Sequence, residues 1–182
     1  MKKVFLLVTT VLFFSFSNAQ NPLAKGQFQL NAGTGFSEWG IPVYVGLDYG
    51  IHKDISIGAE ASYRRYNEVY YYGSDNLKYT YSAFAFGTNG NYHFNSLLKI
   101  PKKFDFYAGA NITYFAWNSD YTYKSNNGSG NDYWKDQYRV KSSVELGAQV
   151  GGRYFFNDSF GLNAEIGAGA VTGAKFGITY QF

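Results

Sequence analysis

The chain has 182 residues, a formal net charge of +3 and no cysteine. It therefore has no disulfide, no thiolate nucleophile and no zinc–thiolate site. A near balance of 16 Lys and Arg against 13 Asp and Glu argues against nucleic acid as a partner, which needs a clustered basic surface. Tyr (18), Phe (17) and Gly (21) are abundant while Pro is rare (3). Aromatics favour strands and Gly is usually depleted from them, so their coexistence points to strands with one crowded side.

Lys2 and Lys3 precede an apolar run from Val4 to Phe16, broken only by Thr9, Thr10 and Ser15, and Ser17-Asn18-Ala19 closes it with small residues. Residues 1–19 read as a secretory signal cut after Ala19, and they are too short for a spanning helix. No cysteine follows to carry a lipid anchor. Residues 20–182 read as one domain, with no apolar run near the roughly 20 residues of a membrane helix.

Eight segments of this domain alternate with period two, which puts alternate residues on opposite faces of a strand. The apolar rows are Phe28–Thr34, Val43–Ile51, Ile55–Tyr63, Phe84–Phe94, Phe106–Tyr114, Val144–Tyr154, Phe160–Ala168 and Phe176–Phe182, taken at every second residue. The opposite rows are rich in Gly, Asn and charge. The connections after segments two, four and six are short to moderate. Two after odd segments, Arg65 to Thr80 and Asn118 to Tyr138, are long and rich in Tyr and Asn. The outer connections near residues 36–40 and 171–173 are short. This alternation of connection lengths suits an even-stranded barrel crossing a membrane with strands.

The end of the chain, Lys175-Phe176-Gly177-Ile178-Thr179-Tyr180-Gln181-Phe182, resembles the C-terminal signal of bacterial outer-membrane β-barrels. Lys175, Gly177, Tyr180 and Phe182 match that pattern of a polar residue, a glycine two places on, and aromatics at the antepenultimate and final positions. The whole of residues 20–182 resembles the small OmpA/OmpX-like family. The resemblance implies an all-β, eight-stranded antiparallel up-and-down transmembrane barrel in the outer membrane. It implies contact with membrane lipid and lipopolysaccharide, and recognition by the barrel-assembly machinery. No periplasmic domain is expected after the eighth strand.

An eight-stranded barrel is just wide enough for side chains to fill. The inward rows carry Asp48, Glu60, Arg64, Asp105, Glu145, Arg153, Glu165 and Lys175. Buried charges need partners, so an ion network is expected, with Glu60, Glu145 and Glu165 sharing Arg64, Arg153 and Lys175. A polar plug is favoured over a gated pore. For recognition of a surface ligand the candidates are Tyr70, Tyr71, Tyr72, Tyr121, Tyr123, Tyr133 and Trp134, because Tyr- and Asn-rich segments suit adaptable binding.

Catalysis is not expected. His52 and His93 are the only histidines. Both fall at the short-turn end, and His93 meets Ser96 with no carboxylate in view to complete a triad. No cofactor or metal site is expected. The function expected is surface interaction or envelope structure. The alternatives are a lipid A-modifying enzyme and an accessory barrel for secretion or assembly.

Overall fold

A sheet that is apolar on one face and polar on the other can hide its polar face from lipid by closing on itself, and closure also leaves no unpaired backbone edge. The computed structural model, which describes residues 23–72, 75–124, 140–170 and 173–182, is such a closed sheet. Its strands are β1 (Phe28–Phe36), β2 (Val43–His52), β3 (Ile55–Tyr72), β4 (Asp75–His93), β5 (Phe104–Lys124), β6 (Ser143–Phe155), β7 (Phe160–Gly169) and β8 (Gly173–Gln181). Each pairs antiparallel with the next, and β8 returns to β1. A short helix, α1 (Asn95–Leu98), lies between β4 and β5.

The expected rows point as the alternation implies. Val43, Val45, Leu47 and Tyr49 are exposed on β2, while Tyr44 and Asp48 between them are buried. Phe176, Ile178, Tyr180 and Phe182 are likewise exposed on the outer wall. The expected signal segment, residues 1–19, lies outside the described residues.

The seam joins Gly33 of β1 to Gly177 of β8 in register. At its lower end Phe28 N donates to Phe182 O (3.0 Å) and Phe182 N donates to Phe28 O (2.9 Å). The same end is covered by residues 23–27, where Gly26 N donates to Gly50 O (2.8 Å) and Leu23 is fully buried.

Three strands are longer than the alternation implied. The expected connection Arg65–Thr80 is mostly ladder, with pairs running from Arg65↔Ser82 to Tyr72↔Asp75. The expected connection Asn118–Tyr138 begins as strand, with β5 paired to β4 as far as Asn76↔Lys124. The neighbours stop earlier, since β2 meets β3 only up to Val43↔Tyr63 and β6 meets β5 only up to Phe115↔Ser143. β3, β4 and β5 therefore continue past the wall as a three-stranded paddle, on the order of 30 Å long at the usual rise per residue.

Candidate functional site

The lumen is built from two cross-strand charge pairs, each completed by a carboxylate from across the barrel. In the lower layer Asp105 and Arg153 face each other in register. Arg153 Nη1 donates to Asp105 Oδ2 (2.8 Å) and its Nη2 donates to Asp48 Oδ2 (2.7 Å). Asp48 also accepts from Asn31 Nδ2 (2.9 Å). In the upper layer Glu165 and Lys175 face each other in register. Lys175 Nζ lies 2.8 Å from Glu165 Oε1 and donates to Glu60 Oε2 at 2.7 Å.

Tyr107 ties the layers together. Its ring lies under the Arg153 guanidinium, 4.3 Å from the ring centroid, and its hydroxyl donates to Glu165 Oε2 (3.0 Å). Amides fill the space beside it: Gln149 Nε2 donates to Asn91 Oδ1 (2.8 Å), and Asn111 Nδ2 donates to Gln149 Oε1 (2.7 Å). One cavity of about 20 Å³ lies between the layers, bordered by Asp48, Tyr107 and Lys175. Another of about 30 Å³ lies above Lys175, under Arg64 and Phe115. Each is of the size that holds a water molecule or two.

Six of the eight charges expected in the network thus meet, as two triads rather than one mesh. Arg64 stands apart above them, its guanidinium 5.2 Å from the centroid of the Phe115 ring and Nη1 3.5 Å from Ser37 Oγ. Glu145 joins neither triad, although its charge acts on Arg64 above them. It is exposed, beyond the last β6–β7 pair at Gly147↔Gly169, and it accepts from Ser143 Oγ (3.0 Å). Alternation gave Glu145 its side of the strand but not its height above the closed wall.

The expected pairing of His93 with Ser96 is replaced by a different set. His93 Nδ1 lies 2.8 Å from Asp105 Oδ1, and its Nε2 lies 3.0 Å from Ser56 Oγ. Asp105 accepts only, so the network assigns a proton to Nδ1. The residues come from β3, β4 and β5, so a carboxylate does orient His93. Both His93 and Asp105 stood on the inward rows beside one turn, which is the signal that was available. The connectivity is that of an acyl-transfer triad. Ser56, His93 and Asp105 all have zero exposure, and Ser56 lines neither cavity. Asp105 is shared with Arg153, so one carboxylate serves both the imidazole and the guanidinium. Among the described residues no cluster of His, Asp and Glu could hold a metal ion.

Above the wall the polarity inverts. Within it the outward rows end on Tyr63, Phe84 and Tyr114, all facing out beside the apolar belt. Higher up they become mostly polar, with Arg65, Asn67, Thr80, Ser82, Asn118 and Asp120, although Ala116 and the exposed Val69 stand on the same rows. The inward row becomes apolar instead: Tyr79, Tyr81, Ala83, Ala85 and Phe115 are buried, and Trp117 packs on them. Trp39 meets Trp117 edge-on at 5.6 Å. Of the expected recognition residues, Tyr70, Tyr71 and Tyr72 lie in β3 and Tyr121 and Tyr123 in β5. Tyr133 and Trp134 lie outside the described residues.

Below the inversion the outer wall is a band of exposed Val, Leu, Ile and Phe. An aromatic girdle closes its lower edge, with Phe28 on Tyr49 (4.7 Å), Phe104 on Tyr154 (5.1 Å) and Tyr92 on Phe94 (5.3 Å). Phe36–Phe176 and Tyr63–Phe84 contacts mark the upper edge. Such a band between girdles is the lipid-facing surface of a membrane barrel. The structure is similar to OprG from Pseudomonas aeruginosa, with TM-score 0.57 and 13% identity over 91% of this chain and 99% of that one. It is similar to the N-terminal β-barrel domain of P. aeruginosa OprF, with TM-score 0.55 and 10% identity over 87% and 98%.

The fold is that of the small eight-stranded outer-membrane β-barrels. A third barrel of this kind is Ail, the attachment invasion locus protein of Yersinia pestis, in complex with the heparin analogue sucrose octasulfate. It matches at TM-score 0.52 and 11% identity over 87% of this chain and 99% of that one. No family model matches the chain, and no curated protein matches it by sequence. In this outer-membrane barrel fold the expected assembly residues have structural places of their own. Lys175 is in the upper charge layer, Gly177 is at the seam, and Tyr180 and Phe182 stack at 6.0 Å in the lower girdle.

Proposed function

We propose that the protein is a non-catalytic barrel of the bacterial outer membrane whose lumen is filled and whose paddle binds a partner outside the cell. The inversion of polarity along β3, β4 and β5 carries this reading. A sheet that turns polar outward and apolar inward has left lipid for water, and it holds three strands where a bare connection would suffice. Ail, of the same fold and size, is seen with a heparin analogue, which supports ligand binding by a barrel of this kind. Lipopolysaccharide sugars are the nearest surface beside the paddle base. The sealed Ser56–His93–Asp105 relay speaks against lipid A modification. Lipid A mass spectra with and without the gene should therefore agree.

Replacing residues 66–81 by a two-residue turn should leave a barrel that fractionates with the outer membrane and still shifts on gels when heated. Crosslinking to surface partners should be lost. An export defect for other proteins, without loss of surface binding, would favour an accessory barrel instead. In planar bilayers the parent should pass little current, because both cavities are only water-sized. A large, steady current would overturn the filled lumen, and recovery as a soluble periplasmic monomer would overturn the membrane reading.

The assembly signal has its own test. Phe182→Ala removes one ring from the rim of the girdle, where burial is partial, so the cost falls below the roughly 3 kcal/mol of a core Phe. The purified variant should refold in detergent. In cells its outer-membrane yield should drop while protease-sensitive chain collects in the periplasm. Normal insertion at native expression would remove the signal reading.

A further inference from the structure

The β4–β5 turn carries apolar residues that the wall does not explain. Leu97 and Leu98 are 65% and 64% exposed, more than most residues of the lipid-facing band. They sit on α1, directly below the girdle residue Phe94. The turn is held firmly there. Leu98 N donates to Phe94 O (2.9 Å), Ile100 N donates to Asn95 O (2.9 Å) and Phe104 N donates to Pro101 O (2.9 Å). The Asn95 side chain is fully buried, donating to Phe104 O and accepting from Phe106 N. Lys99 closes the helix in the left-handed conformation, with φ 53°. The two leucines are thus exposed on a well-bonded turn that follows the girdle residue Phe94 directly in the chain.

Basic charge dominates around them. Lys99, Lys102 and Lys103 follow within five residues, and Lys25 and Lys53 are exposed at the same end. The acids there, among the described residues, include the exposed Asp158, the buried Asp54, 3.7 Å from Lys53, and the buried Asp105, paired with Arg153. The paddle end carries both signs, with Glu38 and Glu68 against Arg65 and Lys78. Exposed leucine beside clustered lysine is the composition of a segment lying in the interface of an anionic membrane.

We propose that the β4–β5 turn is an anchor for the periplasmic leaflet: Leu97 and Leu98 enter its interfacial layer, and Lys99, Lys102 and Lys103 bind the phosphates of anionic phospholipids. The occupant follows from continuity with the lipid-facing belt and from charge complementarity. The proposal rests on the membrane reading above and selects the lipid class and the leaflet.

Fluorescence quenching tests it. Leu98→Trp and the mid-belt control Val45→Trp are each refolded into vesicles of phosphatidylcholine and phosphatidylglycerol in equal parts, with bromine on one lipid or the other. Each spectrum is read as the difference from the parent chain. Val45→Trp should be quenched equally by both lipids. Leu98→Trp should be quenched about threefold more by the brominated phosphatidylglycerol, in keeping with the pull of a basic cluster on anionic lipid. With Lys99, Lys102 and Lys103 all changed to Gln, that ratio should fall to unity. A Leu98→Trp signal that ignores both lipids and yields to aqueous iodide overturns the anchor. Equal quenching of Leu98→Trp by both lipids overturns the anionic preference. Failure of Val45→Trp to be quenched overturns the membrane reading itself.

Discussion

Asp105→Ala should be the most damaging single change in the lumen. Asp105 has zero exposure and accepts from Arg153 Nη1 and His93 Nδ1, both at 2.8 Å. Removing it leaves a buried guanidinium with Asp48 as its one carboxylate and a buried imidazole without its acceptor. Breaking a buried pair from one side costs on the order of 3–5 kcal/mol, because the remaining charge stays out of water. The urea midpoint of the refolded barrel in detergent should fall accordingly. Asp105→Asn, which keeps an acceptor, should fall between the variant and the parent. Glu145→Ala should leave the midpoint where it was, since Glu145 is exposed and makes its contact with Ser143 at the rim. A parent-like midpoint for Asp105→Ala would mean that Arg153 is held by something other than its two carboxylates.

Barrel closure should fail in Gly33→Val and Gly177→Val alike. A Cβ at Gly33 would meet the carbonyl oxygen of Phe176 and lie 2.7 Å from the Cα of Gly177. One at Gly177 would meet the carbonyl oxygen of Ala32 and lie 2.8 Å from the Cα of Gly33. These neighbours are backbone of the paired strand and cannot swing aside. Overpacking a core costs about 1–3 kcal/mol even when side chains can yield, and the seam has less room. The expected readout is loss of the compact band on unheated gels after refolding of purified chain. Gly33 lies outside the expected assembly signal, so a shared defect identifies sterics at the seam, whereas a defect of Gly177→Val in cells alone identifies recognition. Gly90→Ala is the control, because nothing lies within 4 Å of a Cβ there.

The wall was legible because two solvents imposed on it. Lipid outside and a narrow lumen inside force Val45, Leu47 and Tyr49 to alternate with Tyr44, Gly46 and Asp48, and the eye finds the strand from that. The paddle was not legible for the same reason. Around Arg65-Tyr66-Asn67-Glu68 neither face meets lipid, so strand pairing persists while the apolar row leaves the outer face. The charge layers were half legible. Asp105 with Arg153 and Glu165 with Lys175 are neighbours across adjacent strands, but which third carboxylate reaches each cation depends on stagger around the barrel. Stagger also decided against Glu145. The Ser56–His93–Asp105 relay needed three strands in register at once, and period two gives no register between strands.

β3, β4 and β5 pass from the lumen to the paddle without a hinge, and this has a mechanical meaning. A partner that pulls on the tip does not tug on a tether. The load runs along three continuous strands into their ladders with β2 and β6, where the hydrogen bonds are stressed together in shear rather than unzipped singly. Those ladders lie within the lipid-facing band, where an unmade backbone bond finds no water to replace it. On the proposed reading, a partner held by the paddle would pull against ladders that the bilayer stiffens.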